Sequence, residues 1–237
     1  MSKDHIPAQD RLIVALDLPE APAARNLVER IGDGASFYKI GMELCMAPGF
    51  FELLEWLRGR GKKVFVDLKF FDIPETVGRA VSALSERGAQ FCTIHGNQAI
   101  MEAAARAKSN GLKVLAVTAV TSLDRGDLDD LGFHCDVEAL VLSRARRALA
   151  AGCDGVVSSG LEVAKLRLEA PRELIVVTPG IRPVDNKAES DQKRVMTPTR
   201  ALQAGADYLV VGRPIRDAED PRAAAQAIQA EIAAALA

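Results

Sequence analysis

The sequence predicts an α/β protein built as a single closed (β/α)8 barrel, also called a TIM barrel. Eight short runs rich in β-branched and other apolar residues alternate with longer stretches whose apolar residues recur at helical spacing. The chain has 237 residues, and α/β barrels commonly use roughly 200–250 residues as one domain. Glycines stand where helical stretches end, a position that favours a left-handed residue. These glycines are Gly61, Gly88, Gly111, Gly152 and Gly205.

The eight runs lack polar alternation, which is typical of parallel strands buried on both faces. In chain order the predicted strands are Leu12–Asp17, Phe37–Met42, Lys63–Lys69, Phe91–His95, Val114–Val120, Gly155–Ser159, Leu174–Thr178 and Tyr208–Gly212. The predicted helical stretches include Pro48–Arg60, Pro74–Arg87, Gln98–Ser109, Val137–Ala150, Thr197–Ala204 and Pro221–Ala237. One domain is expected to span residues 1–237, with a polar N-terminal tail at residues 1–10.

An open, doubly wound sheet is the alternative architecture, because it has the same alternation of strands and helices. Its usual Gly-x-Gly-x-x-Gly motif is missing after the first strand, where the sequence is Asp17-Leu18-Pro19-Glu20. The Gly32-Asp33-Gly34 segment follows a helical stretch and is interpreted as a helix-ending turn. Residues 59–63 lack the spacing of a phosphate-binding P-loop. The count of eight strands favours the barrel.

Composition excludes several classes of protein. Lys and Arg total 30 against 32 Asp and Glu, so the basic excess usual in nucleic-acid-binding proteins is absent. No apolar window of ~18 residues could span a bilayer, and residues 1–10 lack the apolar stretch of a signal peptide. The four cysteines are scattered, which is typical of isolated thiols in a reducing compartment. We therefore expect a cytoplasmic protein that binds neither nucleic acid nor membranes.

Charged side chains at the ends of the first three strands indicate a possible active site. Asp17 ends the first predicted strand, and Lys39 lies near the end of the second. Asp67 and Lys69 share one face at the end of the third strand, because residues two apart on a strand point the same way. Ionised side chains on apolar strands are seldom buried without partners, so we expect a paired network. Such networks are favoured places for catalysis, although simple surface ion pairs are the alternative interpretation.

Two long connections interrupt the pattern, one after the fifth strand (121–136) and one after the seventh (180–196). Loops longer than ~12 residues are usually functional. In a barrel both would lie at the C-terminal face, where the active sites of this fold are found.

The loops after strands seven and eight carry the residues expected of a phosphate site. Barrels that bind phosphate commonly use these two loops. Gly180 and Gly212 would allow the backbone to approach a ligand closely, and Arg182 and Arg213 offer planar forks for phosphate oxygens. Glycines of simple turns and solvated arginines are the alternative interpretation. The scattered histidines and cysteines form no pattern typical of a metal site.

Four motifs taken together closely resemble the orotidine 5′-phosphate decarboxylase family. They are Asp67-x-Lys69-x-x-Asp72-Ile-Pro-x-Thr76, Thr178-Pro-Gly-Ile-Arg-Pro183, Asp191-Gln-Lys-Arg-Val195 and Val211-Gly-Arg-Pro214. The similarity runs from about Leu12 to Ile215, and the motifs fall in the family's order at the predicted strands.

The resemblance implies a role for each matching residue. Lys69 would be the proton donor, with Asp67 and Asp72 around the departing carboxylate. The implied substrate-binding residues are Asp17 and Lys39 at the ribose, Thr76 in the Asp72 motif, Thr121 near the pyrimidine, Gln192, Gly212 and Arg213 at the phosphate, and Arg182 in the loop after strand seven. The family's activity is the decarboxylation of orotidine 5′-phosphate to UMP and CO2 in pyrimidine biosynthesis, without cofactor or metal. The resemblance also implies a homodimer in which residues 72–76 complete the neighbour's active site.

The sequence departs from the family pattern at three places. Phe71 stands where the family often has His, and Glu75 stands where it often has Asn. His95-Gly-Asn-Gln98 replaces the common His-x-x-Gly-Gly. All three leave the charged residues unchanged.

Two alternative functions remain open. One is a magnesium-dependent sugar-phosphate decarboxylase or aldolase of the same barrel superfamily, in which a Glu metal ligand stands at the position of Lys39. The other is a non-catalytic barrel that binds a phosphometabolite. The position of Lys69 between two carboxylates argues against this second alternative.

Overall fold

A computed structural model describes residues 6–183 and 195–237 of the chain. Eight parallel strands form a closed barrel in sequence order, and the last strand pairs with the first. The strands are β1 (Leu12–Ala15), β2 (Phe37–Gly41), β3 (Lys63–Phe70), β4 (Phe91–Ile94), β5 (Lys113–Val117), β6 (Gly155–Val157), β7 (Ile175–Thr178) and β8 (Tyr208–Val211). The predicted (β/α)8 barrel is thereby confirmed, and the open sheet is excluded.

Helices surround the barrel and connect its strands. They are α1 (Ala21–Ile31), α2 (Met42–Cys45), α3 (Phe50–Gly59), α4 (Pro74–Glu86), α5 (Gln98–Ala107), α6 (Arg125–Asp130), α7 (Val137–Ala150), α8 (Gly160–Glu169), α9 (Pro198–Gln203), α10 (Arg213–Arg216) and α11 (Pro221–Leu236). The short helix α6 lies within the long connection that the sequence predicts after the fifth strand. Within the described part of the chain, no helix combines the length and apolar character needed to cross a membrane.

Left-handed glycines directly follow the C-caps of four helices, as the sequence predicts: Gly61, Gly88, Gly152 and Gly205. Gly111 differs, because α5 ends at Ala107 with an extended C-cap residue, Lys108, and Gly111 lies in the turn before β5. All five glycines have φ angles between 70° and 105°, a region that costs glycine little because it has no Cβ. The Gly32–Gly34 segment forms a 3-10 turn directly after α1, which confirms its interpretation as a helix-ending turn.

Several strands end earlier than the sequence predicts, and the residues beyond them belong to the rim. β1 ends at Ala15, and β8 ends at Val211. Asp17 and Gly212 therefore lie in the connections that follow these strands. The reason is pairing, because the ladder between β1 and β2 ends with Ala15 opposite Lys39. A strand continues only while a neighbour supplies hydrogen-bond partners.

The barrel interior changes from apolar to charged along its axis. A layer of large side chains fills the lower part, where the rings of Phe37 and Phe91 lie 5.1 Å apart. The alternation of side chains along each strand places Lys39, Asp67 and Thr93 on the same inward side, nearer the C-terminal end. The apolar layer therefore forms a floor beneath a charged site.

Candidate active site

A cavity of about 600 Å³ opens at the C-terminal end of the barrel. Eight of the residues predicted for the site line it: Asp17, Lys39, Asp67, Lys69, Thr121, Arg182, Gly212 and Arg213. Asp72 and Thr76 do not line this cavity within one chain. Gln192 lies outside the described residues.

A continuous network of ion pairs joins the ends of the first three strands. The Lys39 ammonium lies 2.8 Å from the Asp17 carboxylate and 3.6 Å from Oδ2 of Asp67. The other oxygen of Asp67, Oδ1, lies 2.9 Å from the Lys69 ammonium. The network that the sequence predicts is therefore present, with alternating negative and positive groups.

The network holds its buried members in their charged forms. Burial alone would raise the pKa of the Asp67 carboxyl, but the nearby Lys39 and Lys69 cations and its hydrogen bonds lower that pKa below its ordinary value. Burial alone would lower the pKa of the Lys39 ammonium, but the Asp67 and Asp17 carboxylates raise it above its ordinary value. Opposite charges at such distances favour ionisation of both partners. Both groups are therefore charged at neutral pH.

Lys69 occupies an irregular segment of β3. The pairing of β3 with β4 shifts between Val66 and Phe70, which marks a β-bulge or similar irregularity. Lys69 has a φ angle of 48°, a left-handed conformation that is uncommon for residues other than glycine. Its side chain is 37% exposed, against 14% for Asp67. The irregular backbone thus presents a partly exposed ammonium beside a carboxylate that is largely, but not completely, buried.

Thr93 is a site residue that the sequence reasoning missed. It lies on β4, completely buried, and its hydroxyl donates a hydrogen bond of 2.8 Å to Oδ1 of Asp67. The backbone N–H of Lys69 donates to the same hydroxyl oxygen at 2.9 Å. The signal that could have found it is the period of two along a strand, which puts Thr93 on the inward side with Phe91.

The part of the cavity formed after β7 and β8 carries guanidinium groups. Arg182 is buried after β7, and Arg213 begins α10 after β8. Arg216, which the sequence reasoning also missed, lines the cavity and donates a hydrogen bond of 2.7 Å to the backbone carbonyl of Asp17. A Cβ added to Gly212 would lie 3.6 Å from the Cβ of Ala15. This end of the cavity is therefore cationic and leaves its backbone accessible.

Asp72 and Thr76 lie on the outer rim. Asp72 is exposed, and one of its carboxylate oxygens accepts a hydrogen bond of 2.6 Å from the N–H of Ile73. Thr76 belongs to the first turn of α4 and is partly buried. The apolar side chains on either side of Asp72 are exposed, Phe71 by 69% and Ile73 by 65%.

The residues that depart from the family pattern contact one another or stabilise helices. The ring of Phe71 meets the ring of His95 edge-on at 5.7 Å. Gly96 has a φ angle of 117°, and a Cβ there would lie 2.7 Å from the Phe71 ring. Asn97 caps the start of α5 by accepting a hydrogen bond from the N–H of Ile100. Glu75 forms an exposed ion pair with Arg79 at 3.1 Å.

The charged groups of the cavity suit an anionic ligand better than a metal ion. Among residues 6–183 and 195–237, no three His, Cys, Asp or Glu side chains cluster in a way that could hold a metal. The Lys39 ammonium lies between Asp17 and Asp67 and neutralises the two carboxylates that would otherwise attract a cation.

A closed (β/α)8 barrel with ionised groups and a cavity at its C-terminal end has the architecture of a barrel enzyme. Comparison with known proteins gives the family. The model of the orotidine 5′-phosphate decarboxylase / HUMPS family matches residues 10–228. This chain belongs to that family, as the motifs predicted.

Individual relatives agree with this assignment. An orotidine 5′-phosphate decarboxylase of Methylococcus capsulatus is 67% identical over 98% of this chain and 96% of its own length. One from Rhodopseudomonas palustris is 54% identical over 99% of both chains. The crystal structure of the orotidine 5′-phosphate decarboxylase of Lactobacillus acidophilus superimposes with a TM-score of 0.83 at 36% identity, covering 94% of this chain and 99% of that one. These named relatives are carboxy-lyases.

Proposed function

We propose that this protein is a cofactor-free carboxy-lyase that converts orotidine 5′-phosphate to UMP and CO2, and that it acts in pyrimidine biosynthesis in the cytoplasm. One observation carries the proposal. The Lys69 ammonium is held 2.9 Å from Asp67 in a cavity that is also lined by arginines from the segments after β7 and β8. A nucleotide with a phosphate at one end and a carboxylate at the other matches this arrangement.

Three groups of cavity residues bind the phosphate, the ribose and the pyrimidine of the substrate. Arg182 and Arg213 bind the phosphate through charge-assisted hydrogen bonds, and Gly212 lets the backbone approach it; Gln192 is assigned to the same phosphate. Asp17 and Lys39 bind the ribose hydroxyls, as acceptor and donor respectively. Thr121 lies on the cavity wall after β5 and contacts the pyrimidine.

The chemical step uses Lys69 as the proton donor. The bond between C6 and the carboxylate carbon breaks, CO2 leaves, and the electron pair stays on C6. No adjacent carbonyl can delocalise that pair, so the nearby ammonium stabilises the developing negative charge electrostatically. Lys69 then transfers a proton to C6, becomes a neutral amine, and regains a proton from solvent.

Repulsion of the substrate carboxylate supplies part of the acceleration. Asp67 is ionised, and Asp72 adds a second negative charge near the departing group. A pair of charges ~4 Å apart at an effective dielectric constant of ~20 interacts by about 4 kcal/mol. Large enzymatic accelerations require about 20 kcal/mol or more. Stabilisation of the carbanion and binding energy from the phosphate therefore provide the remainder.

A magnesium-dependent sugar-phosphate enzyme of the same superfamily is the closest rival. Its metal ligand at the end of strand two is a Glu, whereas this chain has Lys39 there. The Lys39 ammonium already pairs with Asp17 and Asp67, and a divalent cation beside it would be repelled. This charge arrangement favours the nucleotide substrate.

A second copy of this chain completes each active site. Asp72 is exposed between two exposed apolar side chains, Phe71 and Ile73, and a homodimer would bury this patch. In such a dimer, Asp72 and Thr76 of each chain enter the neighbour's cavity. The family resemblance supports this arrangement, and a two-fold axis would create two equivalent sites.

The proposal is tested by incubating the purified protein with orotidine 5′-phosphate labelled at the carboxylate carbon. We expect labelled CO2 and stoichiometric UMP. Hexulose and pentulose phosphates, assayed in parallel with and without magnesium, test the rival. Turnover of those sugars with no release of CO2 from the nucleotide would refute the proposal. Binding without turnover of any of them would indicate the non-catalytic barrel.

A further inference from the structure

We propose that Thr93 is a positioning residue of this active site, which fixes the Asp67 carboxylate and the backbone of Lys69 in the geometry that the reaction needs. The inference rests on the proposed function. Thr93 is completely buried and does not line the cavity. It therefore acts through its two neighbours and does not contact the substrate.

The Thr93 hydroxyl joins two groups that must keep a fixed relation. It donates to Oδ1 of Asp67 at 2.8 Å, the same oxygen that accepts from the Lys69 ammonium at 2.9 Å. It also accepts from the Lys69 backbone N–H at 2.9 Å. One side-chain atom thus links the carboxylate that holds the ammonium to the backbone from which that ammonium extends.

Only a group that both donates and accepts can make this link. Asp67 is ionised, because its pKa lies below the ordinary value, so its oxygens can only accept. The Lys69 backbone N–H can only donate. A hydroxyl has one proton and two lone pairs, and here the proton is directed to Asp67 while a lone pair receives the N–H. The orientation of the hydroxyl is therefore fixed by its partners.

The link also stabilises an unfavourable backbone conformation. Lys69 has a φ angle of 48° within an irregular part of β3. Such conformations persist only where the surroundings impose them. The hydrogen bond from the Lys69 N–H to Thr93 is one such restraint, because a buried N–H without a partner is costly. Loss of the hydroxyl would let the Lys69 backbone relax and displace its ammonium.

Replacement of threonine by valine keeps the shape of the side chain and removes the hydroxyl. We expect Thr93→Val to lower kcat by about 10- to 100-fold, the range expected for loss of a hydrogen bond to a charged group. KM should change little, because Gly212 and the arginines assigned to the phosphate follow β7 and β8, which are not neighbours of β4 in the barrel. Thr93→Ser restores the hydroxyl and should recover most of kcat.

Thr118→Val is the matched control. Thr118 is another completely buried threonine, on the segment that follows β5, and its hydroxyl donates to the Val157 carbonyl at 2.8 Å. Its hydroxyl and its backbone N–H both donate to Val157 and not to the ion-pair network, and the Val157 carbonyl keeps the Thr118 backbone N–H as a donor in the variant. Its replacement should leave kcat unchanged even if thermal stability falls.

The experiment measures kcat, KM and the thermal midpoint for the wild type and these three variants with orotidine 5′-phosphate. Equal kcat for wild type and Thr93→Val would overturn the role of Thr93. The role of Thr93 would also be overturned if Thr93→Ser lost as much kcat as Thr93→Val, or if the variants changed only KM. If valine prevents folding, Thr93→Ala provides a second variant without the hydroxyl. An inactive but folded wild type would instead contradict the proposed function itself.

Discussion

The Nε2 atom of His95 lies 3.1 Å from a guanidinium nitrogen of Arg144. Because an arginine side chain can only donate, Nε2 is the acceptor, and the imidazole ring is neutral with its proton on Nδ1. The same guanidinium nitrogen donates to the backbone carbonyl of Thr118 at 2.9 Å. Through these hydrogen bonds, Arg144 links α7 to the residues that follow β4 and β5. The bond to His95 requires the imidazole to be uncharged.

The first prediction concerns pH. Burial, together with the charges of Arg144 and Lys69, lowers the pKa of His95 below its ordinary value of 6.5. The unfolded chain therefore takes up this proton more readily than the folded one. The stability that neutral His95 contributes to the folded protein is complete above pH 6.5. It is lost as the pH falls through the lower pKa that His95 has in the folded state.

The comparison of wild type with His95→Gln at pH 7.5 and pH 5 measures this effect. Glutamine offers Arg144 an acceptor oxygen at every pH, so the wild type should lose more thermal stability on acidification. Each unit by which the pKa of His95 is lowered corresponds to at most about 1.4 kcal/mol, or about 3–6 °C in a chain of this size, and solvent screening of the partly exposed ring reduces this effect. If the wild type and His95→Gln lost the same thermal stability between pH 7.5 and pH 5, the neutral state of His95 would be contradicted.

The second prediction concerns the proton donor. Lys69→Ala should lower decarboxylation by about 10³-fold or more, because both proton transfer and carbanion stabilisation are lost. Its partly exposed ammonium contributes little packing, so circular dichroism and the thermal transition should show a folded protein. Lys63→Ala is the control, since Lys63 lies at the other end of β3 and pairs with Asp10 at 2.7 Å. Near-normal turnover of Lys69→Ala would refute its assignment.

The third prediction concerns metals. The position that holds a Glu ligand in the sugar-phosphate enzymes is Lys39 here, so dialysis against EDTA should leave kcat and KM unchanged. The measurement compares chelated protein with protein given excess magnesium. Activity that disappears with EDTA and returns with magnesium would move the assignment to the sugar-phosphate enzymes.

The fourth prediction concerns the shared active site. Lys69→Ala and Asp72→Ala homodimers should each be nearly inactive. When the two are unfolded together at equal concentration and refolded, each mixed dimer has one doubly altered site and one site with both wild-type residues. Random pairing makes half of the dimers mixed, so roughly a quarter of wild-type activity should return.

Two controls make this mixing experiment decisive. The two variants refolded separately and then combined without denaturant report any background activity. Mass spectrometry under native conditions reports the mixed dimers themselves. If mixed dimers form and no activity returns, each site is built from one chain, and Asp72 has a different role.

The sequence predicts the barrel well because its signals are local. Each strand appears as a short apolar run, and each left-handed glycine is a property of one residue. Helix α8 has no clear signal, since Leu161 and Leu168 are exposed while Glu162 is buried. Its apolar residues therefore do not form the single stripe that periodicity detects.

The site is predictable only as far as residue type reveals chemistry. Asp67 and Lys69 are charged residues on an otherwise apolar strand, so the sequence alone indicates that they are candidate site residues. Thr93 is an ordinary strand residue, and its role comes from pairing between β3 and β4. The left-handed conformation of Lys69 likewise depends on this neighbouring strand. Arg144 lies on a helix far along the chain from His95, and nothing local to either residue indicates that they meet.

The pairing of β1 with β8 has a consequence for biosynthesis. Leu12 lies opposite Leu209, and Val14 lies opposite Val211, so the barrel closes between two segments that are far apart in the sequence. Until β8 leaves the ribosome, β1 has an unpaired edge, and such edges readily pair with other chains. A nascent chain stalled before β8 is therefore an open sheet that is prone to aggregation, and early binding of a chaperone to β1 would protect it.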